Sequence, residues 1–548
     1  MPSRHTTARA AFLSVCSLTS AAFAQSSGPP ESVAPVSSAS PAPPAEAPGT
    51  LLRIVVPGEW QLRMAALSDL PLATTPGRLD PATLGQNLYV ETWFRFRPEI
   101  SIGRSFRIVS HFDVARGILF GDTTQQVDLS RDRRTTNPAF PNGAFDLRWL
   151  YAEWTSPIGL FRIGQQGSHW GLGIVANDGN HRSLFGDYRM GDLFERIAYA
   201  LRPAGRQSDV VVAIAGDLVY RDRLAQLTQT TVTINRGTDP AQTYTLGGDR
   251  VLQGVLSAYY QDHACTTDCD RKRIGVYATY RDWTRGSTEW LRAWVADVSA
   301  RWEWLTPDGS ARVFAGGEFA MILGSTNMLR TTERAEHALV QFGGAVEFGI
   351  YREQGDHPFR VTLAGGYASG DSNPLDATQR RFTFNPDHRV GLILFPEVMA
   401  WQTARSATIA VDPGLLGRTT RGAELLPTSG GVANAMYFNP TAQLFVTPRI
   451  DVRAGMVLAA TSTDWVDPVQ VTAYGNANGN YRGGSARSRD LGVEFDLGLM
   501  GNQPLGGGLT LTGGAQGGVL LPGHALDDAA GRPMPTIWVA RLLAGLSY

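Results

Sequence analysis

The sequence predicts an all-β fold, a transmembrane antiparallel β-barrel of about eighteen strands with long outer loops and short periplasmic turns. Three observations lead to this prediction. Segments of about ten residues alternate apolar and polar side chains with a period of two, as strands with two different faces do. The connections between these segments alternate between short and long. The last segment, 538–548, carries an apolar face with an aromatic residue at each end.

The predicted strands follow one another along most of the chain. They lie near 59–67, 86–98, 104–116, 145–156, 159–168, 194–203, 208–220, 249–262, 271–284, 289–305, 310–323, 336–353, 358–370, 433–447, 449–462, 489–501, 509–522 and 537–548. The long connections lie near 117–144, 169–193, 221–248, 371–432 and 463–488. Tight turns such as Ser156–Gly159 and Pro448–Arg449 separate the other strands. An even number of strands places both ends of the barrel on the periplasmic side.

Two segments show the two faces of a strand most clearly. In the C-terminal segment, Trp538, Leu542 and Tyr548 share the apolar face, and Arg541 lies on the other. In the segment 289–305, the apolar face carries Trp294, Ala296, Val298, Ala300, Trp302 and Trp304, and the polar face carries Asp297, Ser299, Arg301 and Glu303. The apolar faces suit lipid with aromatic girdles at the rims, and the polar faces suit a wet lumen. The C-terminal strand is the part that we expect a barrel assembly machinery to recognise.

The N-terminal region predicts export. Residues 1–24 have the form of a signal peptide, with a basic start, a short apolar stretch and the cleavage site Ala22-Phe23-Ala24. Residues 25–50 are rich in Pro, Ala and Ser and predict a disordered tether, and 51–548 form the barrel.

A net charge of −1 gives no case for nucleic-acid binding, and no apolar run is long enough for a helical membrane span. The predicted location is the bacterial outer membrane.

The same alternation places charged side chains in the lumen. The basic ones in the predicted solute path are Arg95, Arg97, Arg162, Arg273, Arg281, Arg301, Arg312, Arg360 and Arg541, and the acidic ones include Glu91, Glu303 and Glu318. Two interpretations stay open. Opposed charges line the path of a selective pore, with arginine favouring anions. Alternatively, arginine–carboxylate ladders hold neighbouring strands together and fill a wide lumen.

Two outer segments are candidates for a plug or a lid. The segment 371–432 contains the apolar run Val390–Pro396, including Leu392 and Phe395, which should not lie in water. It either folds inward as a constriction, packs on the rim as a lid, or hides another pair of strands. The segment after 166 is rich in glycine and contains His169 and Trp170, which we assign to the same role.

The sequence also gives predictions about a disulfide, metal binding and enzymatic activity. Cys265 and Cys269 predict a local disulfide in an exported protein, because no complete set of metal ligands surrounds them. We predict no cofactor and no metal site, with calcium in the outer loops as the alternative, held by Asp178, Asn180 and Asp187 or by Asp371, Asn373 and Asp376. We predict no enzyme, because Ser168 and His169 point to opposite faces of an extended chain and no nucleophile elbow is present.

Two motifs resemble known families. Arg162, Gly164, Gln165, Trp170 and Gly171 match a strand end that reads x-x-Gly-Arg-Gln followed by Trp-Gly, and 365–371 reads Gly-Gly-Tyr-Ala-Ser-Gly-Asp. The chain resembles the alginate-export and phosphate-selective porin-like families, and also uncharacterised outer-membrane proteins of deltaproteobacteria. Gln165 stands where those families carry a basic residue, which departs from a polyanion-binding pattern. The resemblance implies an eighteen-stranded barrel and a transport function.

The sequence therefore predicts a porin-like outer-membrane channel for polar and anionic solutes or for polysaccharide. The alternative is a barrel plugged by its own loops, with a structural or binding role. The expected partners are outer-membrane lipid, the barrel assembly machinery and a polar or anionic solute, with no nucleic acid.

Overall fold

The structure is a computed structural model of the whole chain. It describes residues 52–73, 82–122, 145–181, 183–185, 191–205, 208–227, 230–236, 239–262, 269–328, 336–353, 355, 357–410, 422 and 425–548. The predicted signal peptide and tether, Cys265 and Asp187 lie outside these residues. Cys269 lies within them and is disulfide-bonded.

Eighteen long strands form one closed antiparallel barrel. In chain order they are β1 (Gly58–Leu67), β2 (Leu88–Phe96), β3 (Phe106–Gly121), β4 (Phe145–Ser156), β5 (Gly159–Gln166), β6 (Leu193–Leu201), β7 (Val210–Arg221), β8 (Asp249–Gln261), β9 (Arg271–Arg285), β10 (Glu289–Leu305), β11 (Arg312–Thr326), β12 (His337–Arg352), β13 (Phe359–Ala368), β14 (Ala435–Thr447), β15 (Ile450–Thr461), β16 (Asp490–Gly506), β17 (Leu509–Pro522) and β18 (Ile537–Ser547). Each strand pairs with its neighbours in sequence, and β1 pairs with β18 to close the barrel. Each predicted strand overlaps one of these, so the predicted fold class is confirmed.

The two ends of the barrel differ in the length of their connections. At one end, which also holds both ends of the barrel chain, β4 and β5 are joined through Pro157 and Ile158, and β14 and β15 through Pro448 and Arg449. At the other end, the connections include 369–434 and 462–489. The three-residue turn 286–288 between β9 and β10 is an exception at that end. We call these the short-turn end and the long-loop end, and the predicted alternation is confirmed.

The outer wall of the barrel is apolar. Trp294 is 60% exposed and Leu542 is 58% exposed, whereas Asp297 and Arg541 on the same strands are buried. A soluble barrel would hide the apolar set, so this arrangement is that of a transmembrane barrel of the outer-membrane type. Val90 and Thr92, which the alternation places on the outer face, are nevertheless buried. β2 carries register shifts beside both of them, and Trp60 donates a hydrogen bond to the Thr92 hydroxyl at 2.9 Å.

The long connection 369–434 folds into the barrel. After a π-helix at Leu394–Met399 comes the helix α1 (Ala400–Ala410), and nearly all side chains of both are buried. They pack with inward-facing wall residues such as Val457, Leu520 and Val539 in one apolar cluster. The described part of the segment, including the run Val390–Pro396, thus lies against the inner face of the wall. In the described part of the connection the only strand is Thr378–Gln379, so no hidden pair of barrel strands occurs there.

Smaller elements decorate the connections. Next to β1 and β2, the short strand Leu52–Val55 pairs with Glu99–Ile102. Pro71–Leu72 pairs with Ala82–Thr83, and Thr230–Arg236 forms a hairpin with Asp239–Leu246. The helix α2 (Pro468–Tyr474) packs near α1, and a 3-10 turn spans His524–Leu526. No helix among the described residues has the length and hydropathy needed to cross a membrane.

Candidate functional site: a lumen divided by two loops

Most of the predicted lumen arginines are neutralised on the wall. Arg95 donates to both oxygens of Asp113 on the neighbouring strand, at 2.7 and 2.9 Å, and both side chains are fully buried. Similar pairs join Arg162 to Glu153 (2.5 Å), Arg281 to Asp222 (2.7 Å), Arg301 to Glu303 (2.8 Å) and to Glu347, Arg541 to Glu397 (3.2 Å), Arg97 to Glu59 (3.6 Å), and Glu91 to Arg63. For these residues the ladder interpretation describes the geometry best, because a paired charge offers little attraction to a solute.

Three other predicted arginines bind different groups. Arg312 donates to the backbone carbonyl of Cys269 at 3.0 Å, and Arg273 lies over the ring of Tyr259. Arg360 stacks over Tyr351 at 4.9 Å from the ring centroid, and no carboxylate within the described chain lies within ion-pair distance of it. Arg360 is therefore a predicted lumen arginine without an ion-pair partner among the described residues, and it lines a cavity.

A wall carboxylate anchors the first loop inside the barrel. Glu318 on β11 accepts backbone N–H groups of Leu172 and Ile174, the latter at 3.4 Å. The indole of Trp170 donates to Asp297 on β10 at 3.1 Å. Gly171 makes this approach possible, since its φ is +57° and a Cβ atom there would lie 2.6 Å from a Glu318 oxygen. His169 and Trp170 are both buried beside this contact, and Glu318 holds the loop against the wall.

A second wall carboxylate anchors the other loop in the same way. Glu494 on β16 accepts the backbone N–H groups of Leu392 (2.5 Å), Ile393 (2.9 Å) and Leu394 (2.7 Å). These amides stand at the start of the π-helix, where no intrahelical acceptor exists for them. Leu392 and Phe395, both predicted plug residues, are completely buried behind this contact.

The two loops are joined to each other. The backbone N–H of Asn385 donates to the carbonyl of Ile174 at 2.8 Å, and its side-chain amide donates to Asp192 at 2.7 Å. His388 bonds the carbonyl of Leu172 through Nδ1 at 2.9 Å, so Nδ1 carries the proton, and Nε2 accepts from the Tyr437 hydroxyl at 3.1 Å. The segments 171–177 and 384–390 therefore form one layer across part of the lumen, which we call the loop layer.

The loop layer lies between two cavities. The outer chamber, toward the long-loop end, has a volume of about 260 Å³ and is lined by aromatic residues and by Asp192, Asp222, Asp371, Arg223, Arg281 and Arg381. The inner chamber, toward the short-turn end, has a volume of about 210 Å³ and is lined by His169, His181, Glu347, Arg360, His388, Arg389 and Arg453. The lumen is therefore divided rather than filled throughout.

Two arginines of the outer chamber have no carboxylate partner at ion-pair distance among the described residues. Arg381 donates to the Tyr481 hydroxyl at 3.2 Å and to the carbonyls of Leu425 and Leu426 at 3.4 and 2.9 Å, and no carboxylate of the described residues pairs with it. Arg223 likewise has no carboxylate partner at ion-pair distance within those residues. Burial and the nearby charge of Arg381 lower the pKa of Arg223 to about 10, so it remains protonated at neutral pH.

Burial also disfavours the charged form of Asp192, which lies beside the loop layer. Burial, followed by the charges of Asp222 and Asp387, raises the pKa of Asp192 well above its usual value. Its neighbour Asn385 donates to it, so the group is held whether or not it is charged. With Asp192 neutral, Arg223, Arg281 and Arg381 would be opposed by Asp222 and Asp371.

Arg223, Arg381 and Arg453 were not among the sequence-based candidates. Arg223 and Arg381 lie on connections, where the period-two alternation gives no information about direction. Arg453 lies on β15 and faces inward, where it donates to Asp451 at 2.5 Å and to the carbonyl of Leu184 at 2.6 Å. The alternation could have identified it, since Asp451 and Gly455 share its face.

The structure shows the contacts of two groups that the sequence analysis considered, Ser168 for catalysis and the acidic turn 371–376 for calcium. The Ser168 hydroxyl accepts a hydrogen bond from Arg196 at 3.1 Å, which gives it a structural partner. Asp371 and Asp376, candidates for calcium, accept backbone N–H groups of Asn373 and Thr378 at 3.1 and 2.7 Å, and Arg380 also pairs with Asp376. These contacts are those of an ordinary polar turn.

Comparisons with known proteins give structural neighbours only. No protein-family profile matches the sequence, and no curated protein matches it either. Among solved structures, the chain is similar to OccAB2 of Acinetobacter baumannii, with 12% identity, a TM-score of 0.46, and coverage of 90% of this chain and 98% of that one. It is similar to OccK9 (OpdG) of Pseudomonas aeruginosa, with 13% identity, a TM-score of 0.46, and 90% and 97% coverage. It is also similar to the outer membrane channel DcaP of Acinetobacter baumannii, with 10% identity, a TM-score of 0.36, and 91% and 97% coverage.

Proposed function

We propose that this protein is a channel of the bacterial outer membrane that passes small polar solutes and favours anions. One observation carries the proposal. Arg223 and Arg381 face the outer chamber, Arg360 faces the inner chamber, and none has a carboxylate at ion-pair distance within the described chain. A barrel whose only task was mechanical would be expected to neutralise such charges, as this wall does for Arg95 and Arg162.

The dimensions favour small solutes over a polymer. The two chambers, of about 260 and 210 Å³, approach the lower end of small-molecule pockets, roughly 300 Å³. The loop layer between them is held by several hydrogen bonds, so an extended chain would have to displace it. Polysaccharide passage, the other solute class predicted from the sequence, therefore requires movement of the loop layer.

The motif shared with alginate-export and phosphate-selective barrels does not extend to a solute contact at Gln165. Its side-chain amide donates to the backbone carbonyls of Leu147 and Arg148 at 2.6 and 3.1 Å. This position ties two strands together. We therefore assign anion attraction to the chamber arginines rather than to the motif, and we expect no enzymatic activity.

The test is ion selectivity of the purified barrel in a planar bilayer. In a KCl gradient, we expect the reversal potential to have the same sign as the equilibrium potential of chloride. The double variant Arg360→Gln with Arg381→Gln should lower the anion-to-cation permeability ratio several-fold. Arg532→Gln, which removes a charge 78% exposed at the long-loop end, serves as the control and should leave the ratio unchanged. An unchanged ratio in the double variant would contradict the proposal.

The second candidate is a plugged barrel with a structural or binding role. The observation that favours it is the continuous hydrogen-bonding between the two loops at Asn385 and His388. A folded barrel that never conducts, in the wild type and after the loops are loosened, would favour this candidate. In either case, we propose that the assembly machinery recognises β18, whose exposed Trp538 lies near its start and which is followed directly by the exposed Tyr548.

A further inference from the structure

Three potential metal ligands meet on the first inward loop. His169, Asp178 and His181 each offer one ligand atom, and these atoms all lie within 4.8 Å of one another. Nδ1 of His181 lies 3.2 Å from a carboxylate oxygen of Asp178, and the two imidazole rings stack with centroids 3.7 Å apart. One loop thus brings together two imidazoles and a carboxylate across nine to twelve residues of sequence.

His169 lacks the partners that a buried histidine normally has. Only 2% of its surface is exposed, and neither ring nitrogen makes a hydrogen bond of ordinary geometry; the amide of Asn177 is the polar side chain beside it. An imidazole nitrogen that is not already engaged in a hydrogen bond is free to act as a metal ligand. A buried imidazole with no partner costs free energy, and a bound ion would remove that cost.

The carboxylate is held in place by its own neighbours. One oxygen of Asp178 accepts the backbone N–H of Asn180 at 2.9 Å, and the side-chain amide of Asn180 approaches the other at 3.4 Å. Arg148, the nearby buried arginine, donates to the backbone carbonyl of Asp178 at 2.7 Å and to the side-chain oxygen of Asn180 at 3.3 Å. The carboxylate oxygens of Asp178 are thus contacted by Asn180 and His181, while Arg148 binds the backbone carbonyl.

The group is accessible from the inner chamber. His169 and His181 both line that chamber, as does Asn177. An ion held by the three ligands would therefore keep a coordination position toward the cavity, as zinc sites with three protein ligands do. The chamber also provides the entry path that a buried site needs.

We propose that His169, Asp178 and His181 bind a divalent transition-metal ion of the zinc class. Two imidazoles and one carboxylate form a ligand set that zinc prefers over the oxygen-only sets of calcium and magnesium. The bound ion joins the start of the loop to residues 178–181 and so fixes the part of the loop layer that Glu318 anchors. It also adds positive charge to the inner chamber. The proposal does not depend on the channel function.

The experiment measures zinc binding to the complete folded barrel in detergent. After treatment with a chelator and removal of the chelator, ZnCl₂ is titrated by calorimetry, and bound metal is counted after equilibrium dialysis. We expect one ion per chain. His169→Ala and Asp178→Asn should each weaken binding at least tenfold. His524→Ala, which removes an exposed histidine that also pairs with an aspartate, is the matched control and should bind as the wild type does.

Two further measurements keep the outcome clear. His181→Gln changes a less buried ligand, and the mobility shift between heated and unheated samples in gels reports whether each variant is folded. Co²⁺ in place of zinc should give visible absorption bands typical of a four- or five-coordinate nitrogen and oxygen site, and these bands should vanish in His181→Gln. Zinc that fails to bind the wild type, or that binds folded His169→Ala and His181→Gln unchanged, would overturn the proposal, whether or not the barrel conducts.

Discussion

Glu494 accepts the backbone N–H of Leu394 at 2.7 Å, so a carboxylate of the barrel wall holds the start of the helix that enters the lumen. Glu318 does the same for the other inward loop at Leu172. In both places a glycine with positive φ, Gly391 or Gly171, precedes the anchored amide and lets the backbone approach the carboxylate. Both inward loops are therefore attached to the wall in the same way, by a wall carboxylate that accepts backbone N–H groups directly after a glycine.

Replacing Glu494 should release the segment 391–399. Glu494→Ala leaves three buried N–H groups without an acceptor, and each orphaned donor costs roughly 1–3 kcal/mol. The barrel should still form, because strand pairing is untouched, but limited proteolysis should cut the released segment and single-channel conductance should rise. Glu353→Ala, at an exposed position beside the short turn after β12, is the control. Protease resistance equal to the wild type would show that Glu494 does not hold the segment.

Gly171→Ala should loosen the first loop more than Gly103→Ala does. Both glycines have a positive φ, +57° and +59°, so both variants pay the conformational cost of about 1–2 kcal/mol for a left-handed residue with a side chain. Only at position 171 does a Cβ atom also meet a neighbour, 2.6 Å from a Glu318 oxygen, whereas nothing lies within 4 Å of a Cβ at 103. Hydrogen exchange of 170–177 measures the difference, and equal effects of the two variants would mean that the close contact is not important.

Asn385→Ala should weaken the loop layer without changing charge. The variant removes the amide that donates to Asp192 at 2.7 Å and to the carbonyl of Val175 at 3.3 Å. Removing the donor leaves a buried acceptor without a partner, which costs roughly 1–3 kcal/mol. We expect larger current fluctuations or a higher mean conductance in bilayer recordings. Asn373→Ala, on an exposed turn of the same connection, should behave as the wild type.

The docking of α2 should depend on pH. Asp467 caps this helix by accepting the Val469 N–H at 2.9 Å, and the Ser406 hydroxyl of α1 donates to the same oxygen at 2.6 Å. Burial raises the pKa of Asp467 to about 6. Because the folded pKa lies above the unfolded value, the protonated group stabilises the fold at pH 4 and below. That contribution, at most roughly 3 kcal/mol, is lost as the pH rises toward 6.

The measurement is thermal unfolding of the barrel in detergent at a series of pH values. Between pH 4 and pH 6, the wild type should lose stability relative to Asp467→Asn, whose side chain cannot ionise. Above pH 6.5, the two curves should run parallel. A wild-type curve parallel to that of Asp467→Asn over the whole range would contradict the shifted pKa.

Some features followed from the sequence because they are local. A strand in a membrane barrel alternates between lipid and lumen at every residue, so Trp538, Leu542 and Arg541 reveal their faces without knowledge of any partner strand. The same holds for Trp294 and Asp297. Proline- and glycine-rich turns mark the strand ends, which is why the number of strands and the alternation of the connections were predicted correctly.

The roles of the lumen residues were decided by the tertiary structure. The period-two alternation places both Arg95 and Arg360 on inward faces of their strands. The strand register then places Asp113 against Arg95, whereas Arg360 faces a cavity. For the 391–399 segment, apolar composition required burial, and it left open whether this occurred on the rim or in the lumen. Glu494 lies about one hundred residues further along the chain, and only closure of the barrel brings it to those amides.

The sequence by itself determined a transmembrane barrel and the two faces of its strands, because lipid and water act on each residue separately. The tertiary structure decided which loops enter the lumen, which arginines lack a carboxylate partner among the described residues, and that His169 meets Asp178 and His181. These properties depend on distances between side chains that lie on different strands or at opposite ends of a folded loop. Periodicity carries no information about such distances, because they are set by strand register and by loop conformation.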